Sequence, residues 1–281
     1  MSAGKGMGNG GSVMEAFSDY EHFKKLFYGV SSIDLNLYKE KQMKRRITSL
    51  IEKRGFVQYC PFLEAMKTDK ELYNTFINYL TINVSEFYRN PVQWEMFERR
   101  ILPEIQKNRK SLDNVKIWSS ACSTGDEPYT IVMILARHIP LERIHILATD
   151  IDMGAMDKAK QGIYTGRSIK EMPSDFLQKH FTQVGQDAWK INDSVKKCVE
   201  FRQMNLLKDP YPKDQDIIVC RNVLIYFTEE AKDQIFADFN RALVQNGVLF
   251  IGSTEQIIGY HKFGYKPMET FFYQKTGEAA K

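Results

Sequence analysis

From Asn114 onward, short β-rich runs alternate with amphipathic helical stretches, and this alternation constrains the fold more than any other feature of the chain. The predicted strands span 115–121, 143–149, 199–204, 216–220, 247–252 and 270–274, and the predicted helices span 128–138, 153–161 and 229–243. Such alternation is typical of a mostly parallel sheet covered by helices on both faces. We therefore predict an α/β domain that binds its ligand at the carboxyl ends of the strands, near the point where the strand order reverses.

Three segments depart from this rhythm. The first twelve residues are mostly Gly, Ser and Met and have no periodicity, so we predict a flexible tail at 1–17. Residues 18–90 carry apolar side chains at helical spacing, which predicts a helical N-terminal domain ahead of a sheet domain at 91–281. Residues 162–198 interrupt the sheet domain with a polar stretch that is too long for a simple crossover, so we expect a small inserted subdomain there.

Composition restricts the class of protein. The 281 residues are 43% hydrophobic and 26% charged, which is typical of folded globular chains. The net charge of +4 is too small by itself to indicate a nucleic acid partner. Apolar stretches are far shorter than the ~20 residues of a membrane helix, and the four cysteines are widely separated without metal-ligand spacing. We expect a cytoplasmic protein with no metal site, no nucleic acid partner and no direct membrane insertion.

The segment from Ser119 to Tyr129, SSACSTGDEPY, runs from a predicted strand through small residues into a predicted helix. Gly125 is its only glycine and no Lys-Ser/Thr pair follows, so the turn is neither a GxGxxG motif nor a P-loop, which disfavours a pyrophosphate ligand. Asp150 ends the next strand, where a carboxylate can accept hydrogen bonds from both ribose hydroxyls. On their own, these features also fit an ordinary polar turn or a nicotinamide-dependent enzyme.

Five segments together resemble the chemotaxis receptor methyltransferase (CheR) family. They are 81–89 (TINVSEFYR), the turn described above, 148–152 (ATDID), 204–207 (MNLL) and 220–227 (CRNVLIYF). The resemblance implies a class I, Rossmann-like methyltransferase sheet with a small all-α N-terminal domain and a small β-subdomain as the insertion. It also implies methyl transfer from S-adenosyl-L-methionine to glutamates on chemoreceptor cytoplasmic helices, with S-adenosyl-L-homocysteine as product.

The resemblance also assigns roles to individual residues. The implied cofactor contacts are Asn83, Ser85, Arg89, Glu127, Asp150, Asn205, Leu206, Arg221 and Asn222. The implied catalytic residues are Arg89 and Tyr226, which act mainly by orientation, because a glutamate carboxylate is already an anion at neutral pH and needs no general base. Without the resemblance, Asn83 and Ser85 would be interpreted as caps of a helix at 91–99, and Tyr226 as a core aromatic residue.

The segment 36–54 is the most basic part of the chain, with seven basic and two acidic residues. Its apolar side chains fall on one helical face, so the basic residues lie on the opposite face or its flank. A solvated helix face is the simplest interpretation. The family resemblance instead implies that this face docks on the acidic receptor bundle, and the implied substrate-binding residues are Lys41, Lys44, Arg45 and Arg46.

Two other functions fit parts of the sequence. A nucleic acid amino-methyltransferase would carry an (Asp/Asn)-Pro-Pro-Tyr type motif after the fourth strand, whereas this chain has DPYP at 209–212, ahead of that strand. A non-catalytic module would keep the fold and sense the cofactor or bind receptors, and the intact cofactor residues are compatible with it. For the oligomeric state, we expect a monomer.

Overall fold

The computed structural model describes residues 17–279, and these begin with a bundle of four helices. The helices are α1 (Tyr20–Ser31), α2 (Glu40–Lys53), α3 (Tyr59–Thr68) and α4 (Lys70–Leu80). Phe23, Phe27 and Phe76 are buried at the centre of the bundle, with ring centroids 5.1–6.2 Å apart. The expected all-α N-terminal fold is confirmed, and the predicted tail lies outside the described residues except for its last residue.

A linker, residues 81–90, leads from α4 into the sheet domain. One continuous helix follows, made of α5 (Pro91–Met96), a π-helical segment (Phe97–Ile101) and α6 (Leu102–Arg109). The next elements are β1 (Ile117–Ser119), α7 (Asp126–Leu135), β2 (Ile146–Asp150) and α8 (Met153–Gln161). The Asp152 side chain caps α8, because it accepts a hydrogen bond from the Ala155 N–H at 3.1 Å.

The insertion forms its own small sheet. It consists of β3 (Ile163–Tyr164), α9 (Ser174–His180), β4 (Phe181–Gly185), β5 (Ala188–Ile191) and α10 (Asp193–Lys196). The three strands lie in the order β3-β5-β4 with antiparallel pairing. This confirms the expected β-subdomain.

The remaining elements complete the main sheet. They are β6 (Val199–Gln203), β7 (Gln215–Cys220), α11 (Glu229–Ala242), β8 (Leu243–Ile251), β9 (Tyr265–Glu269) and β10 (Phe272–Lys275). The seven strands lie in the order β6-β2-β1-β7-β8-β10-β9, and only β10 runs antiparallel to the other six. When the strands of this sheet are numbered in chain order, they lie in the order 3-2-1-4-5-7-6. This is the 3-2-1-4-5-6 order of dinucleotide-binding sheets with one further strand between the last two. The predicted Rossmann-like α/β class is confirmed.

The centre of the sheet determines where a ligand can bind. Strand β7 is buried at every residue, as expected for a central parallel strand covered on both faces. The strand order reverses between β1 and β7, so the crevice at their carboxyl ends is the expected binding position. Among the helices described, none is both long and apolar enough to span a membrane.

The sequence patterns do not predict strand β9. Its middle residue, Pro267, has no backbone N–H and argues against a central strand. The strand lies at the edge of the sheet and pairs only with β10. Proline is tolerated there because one side of an edge strand has no ladder to complete.

Candidate active site

A pocket opens at the carboxyl ends of β1, β2 and β7, and the linker with parts of the N-terminal bundle forms its opposite wall. The predicted catalytic residue Tyr226 lines this pocket. All of the predicted cofactor residues line it as well, namely Asn83, Ser85, Arg89, Glu127, Asp150, Asn205, Leu206, Arg221 and Asn222. The lining also includes Met204 and Phe227, which belong to the motifs at 204–207 and 220–227, and Tyr38 and Leu80, which the sequence does not single out. Segments that are far apart in the chain therefore converge on one site.

The turn after β1 enters α7 through Gly125, which has a φ of +88°. A side chain is strained in this left-handed conformation. A Cβ atom here would also lie 2.7 Å from the Cβ of Ala159 and 3.1 Å from the ring of Tyr129. The turn therefore requires glycine at this position, and α8 holds it from one side.

Asp126, the first residue of α7, is buried, and burial raises its pKa although nearby hydroxyl groups oppose the shift. The hydroxyl of Thr124 donates to its carboxylate at 2.5 Å and that of Ser168 at 3.0 Å, and the Ser85 hydroxyl also lowers the pKa. Ser168 belongs to the inserted subdomain, where the Tyr164 hydroxyl donates to the Thr124 carbonyl at 2.8 Å. The insertion therefore supports the turn from behind.

Glu127 presents a carboxylate to the pocket, and its side chain is 12% exposed. The Ser119 hydroxyl donates to one oxygen at 2.8 Å, and the guanidinium of Arg221 lies 3.8 Å from the other. Burial raises the pKa of Glu127 to about 7, against the opposing effects of Arg221 and Ser119. At neutral pH this carboxyl group is therefore poised between its two protonation states.

Asp150 is the last residue of β2, and backbone groups hold its carboxylate in place. The N–H of Ser123 donates to one oxygen at 2.7 Å, and the N–H of Asp152 donates to the other at 2.9 Å. Burial raises the pKa of Asp150 to about 6, although these backbone hydrogen bonds lower it. Each carboxylate oxygen has a second lone pair, so the group can still accept hydrogen bonds from a ligand.

A hydrogen-bond network fixes the linker against the sheet domain. The Asn83 amide donates to Asp152 at 2.6 Å, and its oxygen accepts from the Ser123 hydroxyl at 2.9 Å. The Thr81 hydroxyl donates to the same Asp152 oxygen at 2.8 Å. Between them, Ile82 has a φ of +50°, which is rare for a β-branched residue and requires support from its surroundings. The hydrogen bonds of Thr81 and Asn83, on either side of Ile82, provide that support.

The capping interpretation of Asn83 and Ser85 is wrong. Helix α5 begins after Asn90, which has a φ of +63° and makes no side-chain cap. The polar atoms of Asn83 bind the sheet domain instead, and Ser85 faces Asp126. Both residues therefore belong to the pocket wall.

Arg221 is a buried cation that positions the linker. Its guanidinium lies 4.9 Å from the Trp94 ring and 4.8 Å from the Phe250 ring, and its side chain is 3% exposed. It donates to the Arg89 carbonyl and to the Gln93 side chain, both at 2.8 Å. Burial lowers the pKa of Arg221 to about 10, so the group stays protonated at neutral pH. It contributes to the pocket both as a lining residue and as an anchor for Arg89.

Arg89 and Tyr226 both line the pocket, and the charge of Arg46 on α2 also affects Tyr226. Arg89 donates one N–H to the Val84 carbonyl at 3.1 Å, which leaves other donors of the guanidinium available. Burial raises the pKa of the Tyr226 hydroxyl, and the positive charges of Arg46 and Arg89 oppose this rise. Both guanidinium groups therefore act electrostatically on the Tyr226 hydroxyl.

The predicted substrate-binding residues of α2 divide into two groups. In the first group, Lys41 and Arg45 are exposed and Lys44 is half-buried. These residues lie away from the buried apolar face of α2, which includes Met43 and Ile47. Arg46 instead turns toward α4, where its Nε donates to the Tyr79 carbonyl at 2.6 Å and its guanidinium lies 4.4 Å from the centre of the Tyr79 ring.

Sequence reasoning missed Glu255, which organises the loop that carries Asn222. Its buried carboxylate accepts hydrogen bonds from the N–H groups of Gly252, Asn222 and Leu224 at 2.7–3.1 Å. A Cβ at Gly252 would lie 2.7 Å from the Asn222 nitrogen, so the two loops are in close contact. The only sequence signal is an acidic residue after β8 in the string GSTE, which has no chemistry of its own.

Asn205 uses its amide within the protein. It donates to the Ser32 carbonyl at 3.3 Å and accepts from the Leu207 N–H at 2.9 Å, so it ties the loop after β6 to the end of α1. The neighbouring DPYP segment is structural as well. Its Tyr211 hydroxyl donates to the Leu206 carbonyl at 2.7 Å, and its ring packs 5.0 Å from that of Trp118. This placement argues against a role for DPYP in holding a target base.

The donor set of the pocket fits one kind of ligand. Glu127 suits an ammonium group, Arg89 suits a carboxylate, and Asp150 suits a pair of ribose hydroxyls. Ser120 and Ala121 leave room for a ligand close to the backbone. An amino acid joined to a nucleoside carries all three groups, as S-adenosylmethionine does.

The sheet order and this pocket define the class of the protein as a methyltransferase that uses S-adenosylmethionine. Residues 83–271 match the family described as "CheR methyltransferase, SAM binding domain", and residues 18–81 match "CheR methyltransferase, all-alpha domain". The chain belongs to the CheR methyltransferase family.

Two sequence relatives agree with this assignment. The chain is 39% identical over 258 residues to a chemotaxis protein methyltransferase of Listeria monocytogenes, covering 92% of this chain and 97% of the relative. It is 32% identical over 252 residues to a chemotaxis protein methyltransferase of Borreliella burgdorferi, covering 86% and 89%. Among solved structures, a TehB-like SAM-dependent methyltransferase from Corynebacterium glutamicum aligns with a TM-score of 0.36 at 15% identity, covering 66% of this chain and 96% of that one.

Proposed function

We propose that this enzyme transfers the methyl group of S-adenosylmethionine to glutamate side chains on the cytoplasmic helices of chemoreceptors. The observation that carries the proposal is the cationic environment around Tyr226. The charges of Arg46 and Arg89 act on the Tyr226 hydroxyl, which is protonated at neutral pH as phenols ordinarily are. Arg89 and Tyr226 both line the pocket, and a guanidinium and an O–H donor on one pocket wall are suited to an anionic oxygen acceptor such as a carboxylate.

The chemistry assigns separate tasks to the pocket residues. When bound, S-adenosylmethionine supplies a methyl group on a sulfonium, which needs no further activation by an acid. Glu127 would hold the cofactor's ammonium, Arg89 its carboxylate and Asp150 its ribose, while Asn83, Ser85, Asn205, Leu206, Arg221 and Asn222 shape or support the same pocket. Tyr226 and Arg89 would orient the incoming carboxylate, and orientation alone can contribute roughly 7–11 kcal/mol in favourable cases.

The proposal is tested by labelled methyl transfer to purified receptor in membranes. We expect label on the receptor that is released by mild alkali, because carboxyl methyl esters hydrolyse there and N-methyl groups do not. Asp150→Ala is the negative control, and undiminished activity in that variant would overturn the residue assignments. Alkali-stable label on added DNA or RNA would instead support a nucleic acid methyltransferase, and binding of S-adenosylhomocysteine without any turnover would support a regulatory module.

We also propose that the exposed basic face of α2 docks on the receptor. Lys41, Lys44 and Arg45 line a shallow hollow on this face, and acidic helices would be attracted to it over a Debye length of about 10 Å at 0.1 M salt. Charge reversal at Lys44 and Arg45 should raise the KM for receptor and leave the affinity for S-adenosylhomocysteine unchanged. Arg99→Glu, at an exposed arginine outside α2, is the matched control. A KM that stays unchanged at low salt contradicts the docking surface.

A further inference from the structure

Tyr38 is a pocket residue supplied by the segment that leads into α2. It forms an isolated antiparallel bridge with Phe227, and the two rings meet edge to face with centroids 5.1 Å apart. The Lys39 N–H donates to the Tyr226 carbonyl at 2.9 Å, and the Thr228 N–H donates to the Leu37 carbonyl at 2.9 Å. This segment is therefore fixed to the sheet domain on both sides of Tyr38.

The hydroxyl of Tyr38 is a protonated donor. Burial raises its pKa, and the negative charge of Asp150 raises it further. Within residues 17–279, no side chain or backbone group forms a hydrogen bond with this hydroxyl, although the residue lines the pocket. The Asp150 carboxylate is held by the backbone N–H groups of Ser123 and Asp152 and not by Tyr38. The Tyr38 hydroxyl is therefore available to a ligand.

The surroundings indicate which part of the ligand Tyr38 meets. Asp150 suits ribose hydroxyls, while Leu206 and Phe227 are buried apolar neighbours in the same lining. Apolar walls beside a ribose acceptor suit the flat ring of a nucleoside base. Ribose oxygens and adenine ring nitrogens are both acceptors for a phenolic O–H.

We propose that Tyr38 is a further cofactor-binding residue, whose hydroxyl donates a hydrogen bond to the adenosine portion of the cofactor and whose ring covers that portion. Helix α2 begins at Glu40, only two residues after Tyr38. The start of the basic helix is thereby attached to the cofactor pocket. This inference rests on cofactor binding at the pocket and is independent of the identity of the methyl acceptor.

Calorimetry with S-adenosylhomocysteine tests the proposal. Tyr38→Phe keeps the ring and removes only the hydroxyl, and we expect its Kd to rise about fivefold, as for the loss of one hydrogen bond. Tyr28→Phe is the matched control, because Tyr28 lies on α1 with 48% of its surface exposed, and its Kd should equal that of the wild type. Equal Kd values for wild type and Tyr38→Phe would overturn the proposal.

A double-mutant cycle separates direct binding from a general structural effect. Tyr38→Phe and Asp150→Asn should lose less affinity together than the product of their separate losses, because both act on the same part of the ligand. Fully independent losses would contradict a shared contact. Absence of methylation on receptors would leave this result untouched, whereas failure of the wild type to bind S-adenosylhomocysteine would refute the pocket itself.

Discussion

The two walls of the cofactor pocket are held in place by different forces. The sheet wall, formed at the carboxyl ends of β1, β2 and β7, carries buried carboxyl groups: burial raises the pKa of Glu127 to about 7 and that of Asp150 to about 6. The linker wall, residues 81–90, is attached by hydrogen bonds: Asn83 and Thr81 donate to the Asp152 carboxylate, and the Arg221 guanidinium donates to the Arg89 carbonyl. The difference teaches that the sheet wall presents carboxylates fixed in the protein interior, whereas the linker wall presents Arg89 on a segment that depends on hydrogen bonds for its position. We therefore expect the loss of a sheet-wall charge to weaken ligand binding more than the loss of a linker hydrogen bond.

The sharpest test of this contrast is Glu127→Gln, which removes a charge from the sheet wall without changing its shape. We expect the Kd for S-adenosylhomocysteine to rise about 100-fold, because a hydrogen bond between charged groups contributes about 1.5–3 kcal/mol and each 1.4 kcal/mol is a factor of ten. Calorimetry measures the change. Glu229→Gln, at a carboxylate with 71% exposure on α11, should bind as the wild type does. A loss below about threefold in Glu127→Gln would contradict the leading role of the sheet wall.

The pH dependence of binding should show the same charge. The pKa of Glu127 is raised to about 7, so the carboxylate that attracts an ammonium is present above that pH and is lost as the pH falls through it. Between pH 8 and pH 6 the affinity should therefore fall about tenfold. At pH 6.5, binding should release protons, which calorimetry in buffers of different ionisation enthalpy detects. In Glu127→Gln the remaining dependence should move to about pH 6, where Asp150 titrates. An affinity that rises as the pH falls contradicts this assignment.

Breaking the linker wall should have a smaller effect. Asn83→Ala removes the amide that joins Asp152 to Ser123, but Thr81 still binds Asp152. We expect the Kd for S-adenosylhomocysteine to rise about fivefold, a loss of about 1 kcal/mol, because the Asn83 amide holds the linker in position and Thr81 keeps part of that attachment. Asn74→Ala, at an exposed residue of α4, should leave the Kd unchanged. An Asn83→Ala loss as large as that of Glu127→Gln would remove the distinction between the walls.

The same contrast explains what the sequence could predict. The turn at 119–129 and Asp150 follow strands whose apolar runs are local signals, and the family resemblance adds the linker residues. Glu255 and Ser168 act through contacts with segments about 30 to 40 residues away in the chain. No local pattern marks such contacts, because they depend on how loops meet after folding. Strand β9 was missed for a related reason: Pro267 is acceptable only because of an edge position that topology determines.

The pocket straddles the boundary between the two segments that match separate family domains, 18–81 and 83–271. Tyr38, Leu80 and Thr81 lie on one side of that boundary, and Glu127 and Asp150 lie on the other. The helical bundle is therefore no exchangeable module attached to a self-sufficient catalytic unit. A recombination event at the boundary would join two halves of one binding site, so the two halves are expected to change together during evolution. On the proposed role of Tyr38, a foreign bundle grafted onto this sheet would have to match the residue at position 38.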